Sequence, residues 1–165
     1  MKNNERQLKW DLRFLDLAYT VEQWSKDPSM KVGSVIVDPS NRVLGLGYNG
    51  FPRGVYDTAE RYADRHGFKY SAVVHAEVNA ILNATGDLQG ATLYCSTGVP
   101  CPDCAGPIIQ AGITRVVAPR QRQPEATIGK TDWEAKGRLS QILFSEARPR
   151  MVHFHTIVEW SKGTS

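Results

Sequence analysis

Two short segments of this chain place one histidine and two cysteines where a single metal ion could bind all three. His75 opens a His-x-Glu triplet, and Cys101 and Cys104 form a later Cys-x-x-Cys pair. One imidazole and two thiolates supply three corners of the tetrahedron that zinc prefers, which leaves the fourth corner for water. The sequence therefore predicts a catalytic Zn²⁺ site, and it requires a fold that brings these two distant segments together.

Glu77 lies two residues after His75 and is not needed as a ligand. A carboxylate there could take a proton from the water that zinc activates and deliver it to a ring nitrogen and to a departing amine. The pairing of H-x-E with P-C-x-x-C is the signature of zinc-dependent nucleobase deaminases. We therefore predict that Glu77 is the catalytic residue of a hydrolytic deamination.

Other interpretations of the cysteines remain open. A Cys-x-x-Cys pair also occurs in zinc ribbons and in redox proteins. Cys95 alone does not complete a ribbon, and a redox pair would leave His75 and Glu77 without a role. A non-catalytic zinc module for assembly or nucleotide sensing would have no need of Glu77. Cys95 is predicted to be a buried strand residue, and the other histidines are unassigned (His66) or predicted to be structural (His153 and His155).

The composition is that of one globular domain spanning residues 1–165, with 41% hydrophobic and 22% charged residues. No apolar run approaches the ~18 residues that a membrane helix needs. The first seven residues lack the apolar core of a signal peptide, so we expect a cytoplasmic protein. The net charge of +3 is compatible with an anionic substrate. Without a basic run or an aromatic-interleaved basic patch, nucleic acid is not an expected partner.

Hydrophobic periodicity and turn signals predict four helices and five strands, arranged as a sheet with helices on both faces. A polar excursion at 53–70, partly helical, separates a first β-hairpin from the second helix. In the last helix, Ala135, Leu139, Ile142 and Leu143 are predicted to face inward. The predicted helices are 8–24, 71–84, 102–111 and 133–146, the strands are 32–37, 42–48, 90–96, 113–118 and 150–154, a loop covers 119–130, and a short tail element covers 155–160.

Four segments of the sequence together resemble the deoxycytidylate (dCMP) deaminases of the cytidine deaminase superfamily. They are residues 26–37, 47–52, 74–81 and 100–105, and the resemblance extends from about residue 10 to residue 146. The Gly-Tyr-Asn-Gly-x-Pro stretch at 47–52 is what narrows the match to the dCMP branch. The resemblance implies a three-layer α/β/α fold with a mixed five-stranded sheet, zinc held by His75, Cys101 and Cys104, and Glu77 as the proton shuttle.

The resemblance also implies a substrate and its contacts. The reaction would convert dCMP and water into dUMP and ammonia. Asn49 would reach the sugar hydroxyl, and the backbone of Ala76 would meet the pyrimidine carbonyl oxygen. A regulatory site for dCTP as activator and dTTP as inhibitor would include Gly47, Tyr48, Asn49 and Gly50, and family members are commonly homohexamers.

The 5′-phosphate is the least defined part of the expected substrate. Lys26, Ser29 and Lys31 lie in the turn before the first predicted strand, where a phosphate could emerge, although lysines in a turn are equally typical of solvated surface.

The chain departs from the family pattern at Gly98, where a bulky leucine is usual beside the ring pocket. It also lacks the extra cysteines of a second, structural zinc site. Deaminases of the same fold that act on another cytosine nucleotide or nucleoside, on guanine, on a riboflavin precursor or on tRNA adenosine therefore remain alternatives. Residues 71–74 and the weakly basic tail argue against RNA.

Overall fold

A five-stranded mixed sheet forms the centre of the computed structural model, which describes residues 2–120, 133–148 and 151–157. The strands are β1 (Gly33–Val37), β2 (Val43–Tyr48), β3 (Thr92–Cys95), β4 (Arg115–Pro119) and β5 (His153–Ile157). Their order in the sheet is β2-β1-β3-β4-β5. Strand β1 pairs antiparallel with β2 and with β3, whereas β3, β4 and β5 run parallel to one another.

Helices cover both faces of this sheet, which confirms the predicted three-layer α/β/α architecture. The helical elements are α1 (Lys2–Glu22), α2 (Ala59–Ala63), a π-helical turn (Arg65–Lys69), α3 (Tyr70–Ala72), α4 (Ala76–Leu82), α5 (Pro102–Gln110) and α6 (Trp133–Glu146). Helix α1 packs on one face of the sheet, and α4, α5 and α6 pack on the other. Among the described residues, no helix is long and apolar enough to cross a membrane.

Alternating strand residues build two separate apolar layers, as the two-residue period of a strand requires. On β1, Val35 and Val37 contact the α1 side, while Ile36 faces the opposite helices. On β3, Tyr94 faces α1, while Leu93 packs with α4 and α5. The sheet is therefore buried on both faces, and its second layer lies directly beneath the segments that carry the predicted zinc ligands.

Two glycines of β2 allow helix α4 to lie against this edge of the sheet. A side-chain carbon at Gly47 would collide with the backbone of Ala76 and Ala80, and one at Gly45 would collide with the Ala80 carbonyl. Only glycine permits so close an approach of helix backbone to strand. The first turn of α4 is consequently fixed against the end of β2.

Two asparagine side chains, one in α4 and one at its C-cap, cover the outer edge of β2. Asn79 donates to the carbonyl of Tyr48 at 2.8 Å, and Asn83 donates to that of Leu46 at 3.1 Å. These contacts satisfy outward-facing carbonyls that an edge strand would otherwise expose for pairing with another chain.

Several predicted boundaries are wrong. The helix predicted for 71–84 is interrupted, because Val73 is extended and Val74 forms an isolated antiparallel bridge with Gly50. Helix α1 begins six residues before its predicted start, and β4 and β5 begin two and three residues later than predicted. The excursion at 53–70 is partly helical, as predicted.

The inward face of α6 agrees with the prediction only in part: Ala135 and Leu143 are half-buried, and Leu143 packs against the core. Leu139 and Ile142 are 47% and 50% exposed, whereas Ser140 and Phe144 are buried. Gly137 lies against Val99, so small residues at 137 and 140 let the helix approach the loop before α5. Most of the predicted loop 119–130, and residues 158–160 of the predicted tail element, lie outside the described residues.

Candidate active site

The three predicted zinc ligands converge at the starts of two neighbouring helices. His75 is the N-cap residue of α4, and Cys101 is the N-cap residue of α5, whose first turn contains Cys104. The His75 Nδ1 atom lies 3.4 Å from the Sγ of Cys101 and 3.3 Å from that of Cys104, and the two sulfurs are 3.7 Å apart. Pro102 occupies the first turn of α5, where a missing N–H costs nothing.

These spacings fit a tetrahedral zinc ion. Bonds of about 2.3 Å to sulfur and about 2.0 Å to nitrogen set the ligand atoms of one tetrahedron roughly 3.5–3.8 Å apart. Among the described residues, His75, Cys101 and Cys104 are the group whose ligand atoms lie close enough together to hold a metal ion. The structure thus brings together the predicted ligand set, and Cys95 is not part of it.

Glu77 is buried beside this cluster without belonging to it. Its Oε2 atom accepts a hydrogen bond from Cys104 Sγ at 3.6 Å, and its Oε1 atom accepts one from Cys95 Sγ at 3.6 Å. Cys95 ends β3 and is buried, as predicted for a strand residue. The Glu77 carboxylate is therefore held between Cys95 and Cys104, in contact with one predicted ligand but outside the ligand cluster.

The pKa values of the cluster follow from burial and from these contacts. Burial raises the pKa of Glu77 and that of Cys95. The hydrogen bond between Cys101 and Cys104 lowers the pKa of the Cys101 thiol, and His75 adds to the effect. Zinc binds the thiolate form of cysteine, which a lowered pKa favours.

Ala76 is the first residue of α4, and its backbone is buried against Gly47. The N–H groups of a first helical turn have no acceptor within their own helix, so they can donate to a ligand. The predicted contact of the Ala76 backbone with a pyrimidine carbonyl stays a prediction.

Asn49 is buried at the end of β2, but its carboxamide is engaged within the chain. Its Oδ1 accepts from the N–H of Val32 at 2.8 Å, and its Nδ2 donates to the carbonyl of Met30 at 2.8 Å. The predicted contact of Asn49 with a sugar hydroxyl stays a prediction.

The three residues predicted to meet a phosphate have different surroundings. Lys26 is exposed and pairs with Asp57 at 2.9 Å. Ser29 is exposed, and its hydroxyl donates to Asp27 at 2.8 Å, whereas Lys31 is half-buried. None of them lies in a regular helix or strand, which leaves the phosphate contact a prediction.

Lys69 is a buried residue that the sequence reasoning missed. Its ammonium group lies 2.8 Å from Asp27 and also donates to Ser29. Nothing in the polar stretch around it distinguishes this lysine from a surface lysine, so no sequence signal identifies it.

The remaining residues singled out from the sequence lie at the edges of the site or away from it. Gly98 has φ of +147° in the loop before Cys101. The predicted effector residues lie on β2 (Gly47 and Tyr48) and just beyond it (Asn49 and Gly50).

His66 packs edge-on against Tyr70, and His153 and His155 lie on β5 at the far side of the sheet.

Comparison with known proteins identifies relatives of this arrangement. Residues 8–119 match the family described as the cytidine and deoxycytidylate deaminase zinc-binding region. The chain is 44% identical over 139 residues to an uncharacterized deaminase in the luxG 3′ region of Aliivibrio fischeri, covering 84% of this chain and 89% of that protein. It is 42% identical over 124 residues to the deoxycytidylate deaminase of Mus musculus, covering 70% of this chain and 67% of that protein.

Solved structures share the fold. The dCMP deaminase from cyanophage S-TIM5, in complex with dCMP and dUMP, has a TM-score of 0.62 at 25% sequence identity and covers 88% of this chain and 94% of its own. Acinetobacter baumannii RibD has a TM-score of 0.58 at 23% identity, a likeness that shows the fold alone.

Proposed function

Because the chain belongs to the cytidine and deoxycytidylate deaminase family, we propose that it converts dCMP and water into dUMP and ammonia. The observation that carries this proposal is a buried carboxylate, Glu77, beside a His-Cys-Cys cluster with the spacing of a zinc site. Family membership and the cluster indicate a zinc-dependent deaminase. The choice of dCMP is supported by the curated deoxycytidylate deaminases among its relatives and by the cyanophage structure.

When bound by His75, Cys101 and Cys104, zinc supplies Lewis-acid activation of the attacking water. The Glu77 carboxylate takes a proton from that water while the oxygen attacks C4 of the cytosine ring. Glu77 would pass this first proton to ring nitrogen N3. It would then take the second proton, from the new hydroxyl at C4, and give it to the exocyclic nitrogen, so that the C4 carbonyl forms as the C4–N bond breaks and ammonia leaves. The raised pKa of Glu77 suits a group that must both accept and return a proton.

The chain's other residues orient the base and the sugar. The N–H of Ala76 donates to the pyrimidine carbonyl, and Asn49 reaches the hydroxyl of the deoxyribose. Ser29 is exposed and Lys31 is half-buried in the loop before β1. They contact the 5′-phosphate, and Lys26 joins them if it leaves Asp57. The non-catalytic zinc module is disfavoured because it would not need a buried carboxylate in contact with a ligand.

A substrate panel tests the reaction. Zinc-loaded protein is incubated with dCMP, dCTP, deoxycytidine, guanine and an adenosine-containing tRNA stem-loop, and ammonia release is measured. We expect release from dCMP. If ammonia is released from another compound of the panel and not from dCMP, that compound is the substrate and the choice of dCMP is wrong.

The regulatory part of the proposal places dCTP and dTTP at Gly47, Tyr48, Asn49 and Gly50, in a homohexamer. Its support is that Tyr48 is exposed beside Trp24, their ring centroids being 6.1 Å apart, and that a side-chain carbon at Gly50 would make only ordinary van der Waals contacts, with Tyr48 and Tyr62. Turnover of dCMP is measured with and without each effector, and the mass is determined in solution. A hyperbolic curve that neither nucleotide changes would remove the regulation while leaving the catalytic proposal intact.

A further inference from the structure

A buried ion pair joins the excursion before the active site to the loop that precedes β1. The ammonium group of Lys69 and the carboxylate of Asp27 are 2.8 Å apart, and their side chains are 5% and 3% exposed. The same ammonium group donates to the Ser29 hydroxyl and lies 5.6 Å from the centre of the Tyr70 ring. Burying two charges is costly unless both are paired and hydrogen-bonded, so this contact constrains the conformation of both segments.

Asp27 is the centre of the loop at residues 25–32, which we call the Asp27 loop. Its Oδ1 accepts from the Ser29 N–H at 2.9 Å, from the Ser29 hydroxyl at 2.8 Å and from the Met30 N–H at 3.2 Å. Its Oδ2 lies 3.4 Å from the Nδ2 of Asn49. One carboxylate therefore sets the path of the loop and also touches the carboxamide at the end of β2.

The Asp27 loop and Asn49 hold each other in one orientation. The contacts of Asn49 with Val32 and Met30 use both ends of its carboxamide. The Ser25 hydroxyl donates to the backbone carbonyl of Asn49 at 2.8 Å. A change at Asp27 would therefore reach Asn49 directly and through the loop backbone.

This network lies next to the zinc ligands along the chain. Gly50 follows Asn49 and exchanges two backbone hydrogen bonds with Val74, of 3.1 and 2.9 Å. Val74 directly precedes His75. The Asp27 loop is thus connected to the start of α4 by one short bridge.

Resting on the proposed function, we propose that Lys69 is a positioning residue of the nucleotide site. Its buried ammonium group holds Asp27, and Asp27 holds the loop and the Asn49 carboxamide where the sugar and phosphate of the substrate bind. Without the cation, Asp27 would be a buried charge without a counterion, and the loop would have to open to hydrate it. Lys69 itself need not touch the substrate.

A second ion pair, with a buried carboxylate and a partly buried guanidinium group, provides a matched control. Arg115 donates to both oxygens of Asp11, at 2.8 and 2.7 Å, and Tyr94 donates to the same carboxylate at 2.8 Å. This pair joins α1 to β3 and β4, and none of its partners is a candidate site residue. Loss of Arg115 should therefore reduce stability without moving the Asp27 loop.

The first readout is amide hydrogen exchange, which does not depend on the substrate. We compare wild-type protein with Lys69→Met and Arg115→Met. We expect Lys69→Met to accelerate exchange at the Ser29, Met30 and Val32 amides by about tenfold or more relative to the rest of the sheet. Arg115→Met should leave the exchange rates of these three amides as they are in the wild type. Equal protection of the loop in the wild type and in Lys69→Met would overturn the proposal.

The second readout separates KM from kcat for the substrate that the wild-type protein deaminates. We expect Lys69→Met to raise KM about tenfold, which corresponds to the loss of one hydrogen bond between the displaced loop and the substrate. The zinc content should not change, and kcat should change less than KM. Lys69→Arg, which keeps the charge, should recover part of the affinity. Arg115→Met should leave KM unchanged. An unchanged KM in Lys69→Met would show that the pair is only structural.

Lys69→Gln replaces Lys69→Met if the latter does not fold, since its amide can still donate to Asp27 or Ser29. The same direction of change is expected with a smaller size, and an unchanged KM together with unchanged loop exchange overturns the proposal. A wild-type protein that deaminates no compound of the panel refutes the proposed function, whereas the exchange measurement still decides the role of Lys69.

Discussion

Glu77 and Cys104 are in direct contact, with 3.6 Å between the Oε2 of the carboxylate and the Sγ of the cysteine. Their contact brings a residue from the first turn of α4 to a residue from the first turn of α5. A carboxylate in this position is close enough to act on a molecule held by the His-Cys-Cys cluster, and it lies outside the group of ligand atoms formed by His75, Cys101 and Cys104.

Zinc retention should separate the ligand cysteines from the third cysteine. Cys101→Ser and Cys104→Ser each remove a thiolate, so we expect zinc to fall well below the roughly one ion per chain expected for a single site. Cys95→Ser should keep its zinc, because Cys95 contacts Glu77 and lies outside the ligand cluster. Metal analysis of the purified variants measures this, and loss of zinc from Cys95→Ser would contradict the assignment.

Chelation should abolish turnover and lower the melting temperature together. The zinc ligands cap two helices, so removal of the metal releases the starts of both α4 and α5. Re-addition of zinc should restore both properties. A chelated protein that remains fully active would contradict a catalytic metal.

Substitution of Gly47 should disturb the site through the backbone. Gly47→Ala places a carbon against the Ala76 carbonyl, so β2 and the first turn of α4 must separate. We expect a loss of roughly 1–3 kcal/mol in the free energy of unfolding, as for other overpacked positions, together with lower activity.

Gly106→Ala is the matched control, because a side chain there meets open space within helix α5. It should stabilise the protein by up to about 1 kcal/mol through helix propensity. Urea unfolding measures both variants, and equal stability of Gly47→Ala and the wild type would contradict the close packing of α4 on β2.

The Asp11 carboxylate predicts a specific dependence of stability on pH. Burial raises its pKa, but hydrogen bonds from Arg115, Gln7 and Tyr94 outweigh burial, so the pKa of Asp11 lies below its usual value. A lowered folded-state pKa contributes stability that is present above the unfolded pKa of about 3.9 and is lost as the pH falls through the folded value.

Asp11→Asn should therefore be much less stable than the wild type at neutral pH, and the difference should narrow as the pH falls below about 4. Urea unfolding of both proteins between neutral and acidic pH measures the difference. A gap that stays constant over this range would show that Asp11 is not stabilised as an anion.

The zinc cluster could be predicted from the sequence because each of its two motifs is local. Cys101 and Cys104 are close by their spacing alone, and His75 and Cys101 each precede a segment with helical character. The three-layer fold follows from the same source, since helical and strand periods alternate along the chain. These signals depend on neighbouring residues and not on tertiary context.

The predictions that failed depend on contacts between distant segments. The interruption before α4 requires Gly50 to pair with Val74, which no local pattern reveals. The inward face of α6 is set by the fit of Gly137 against Val99, so the larger Leu139 and Ile142 misled the assignment. Lys69 was missed because its role depends on Asp27, which lies far away in sequence.

Turnover of Glu77→Gln, with its zinc content measured in parallel, tests the central claim most directly. Glutamine keeps the shape, can accept a hydrogen bond from Cys95 and can donate one to the Cys104 thiolate, but it cannot take a proton from water. We expect the variant to fold, to retain its zinc and to deaminate dCMP about 10²–10⁴-fold more slowly than the wild type. A zinc-loaded Glu77→Gln protein with wild-type turnover would contradict the assignment of Glu77 as the proton shuttle.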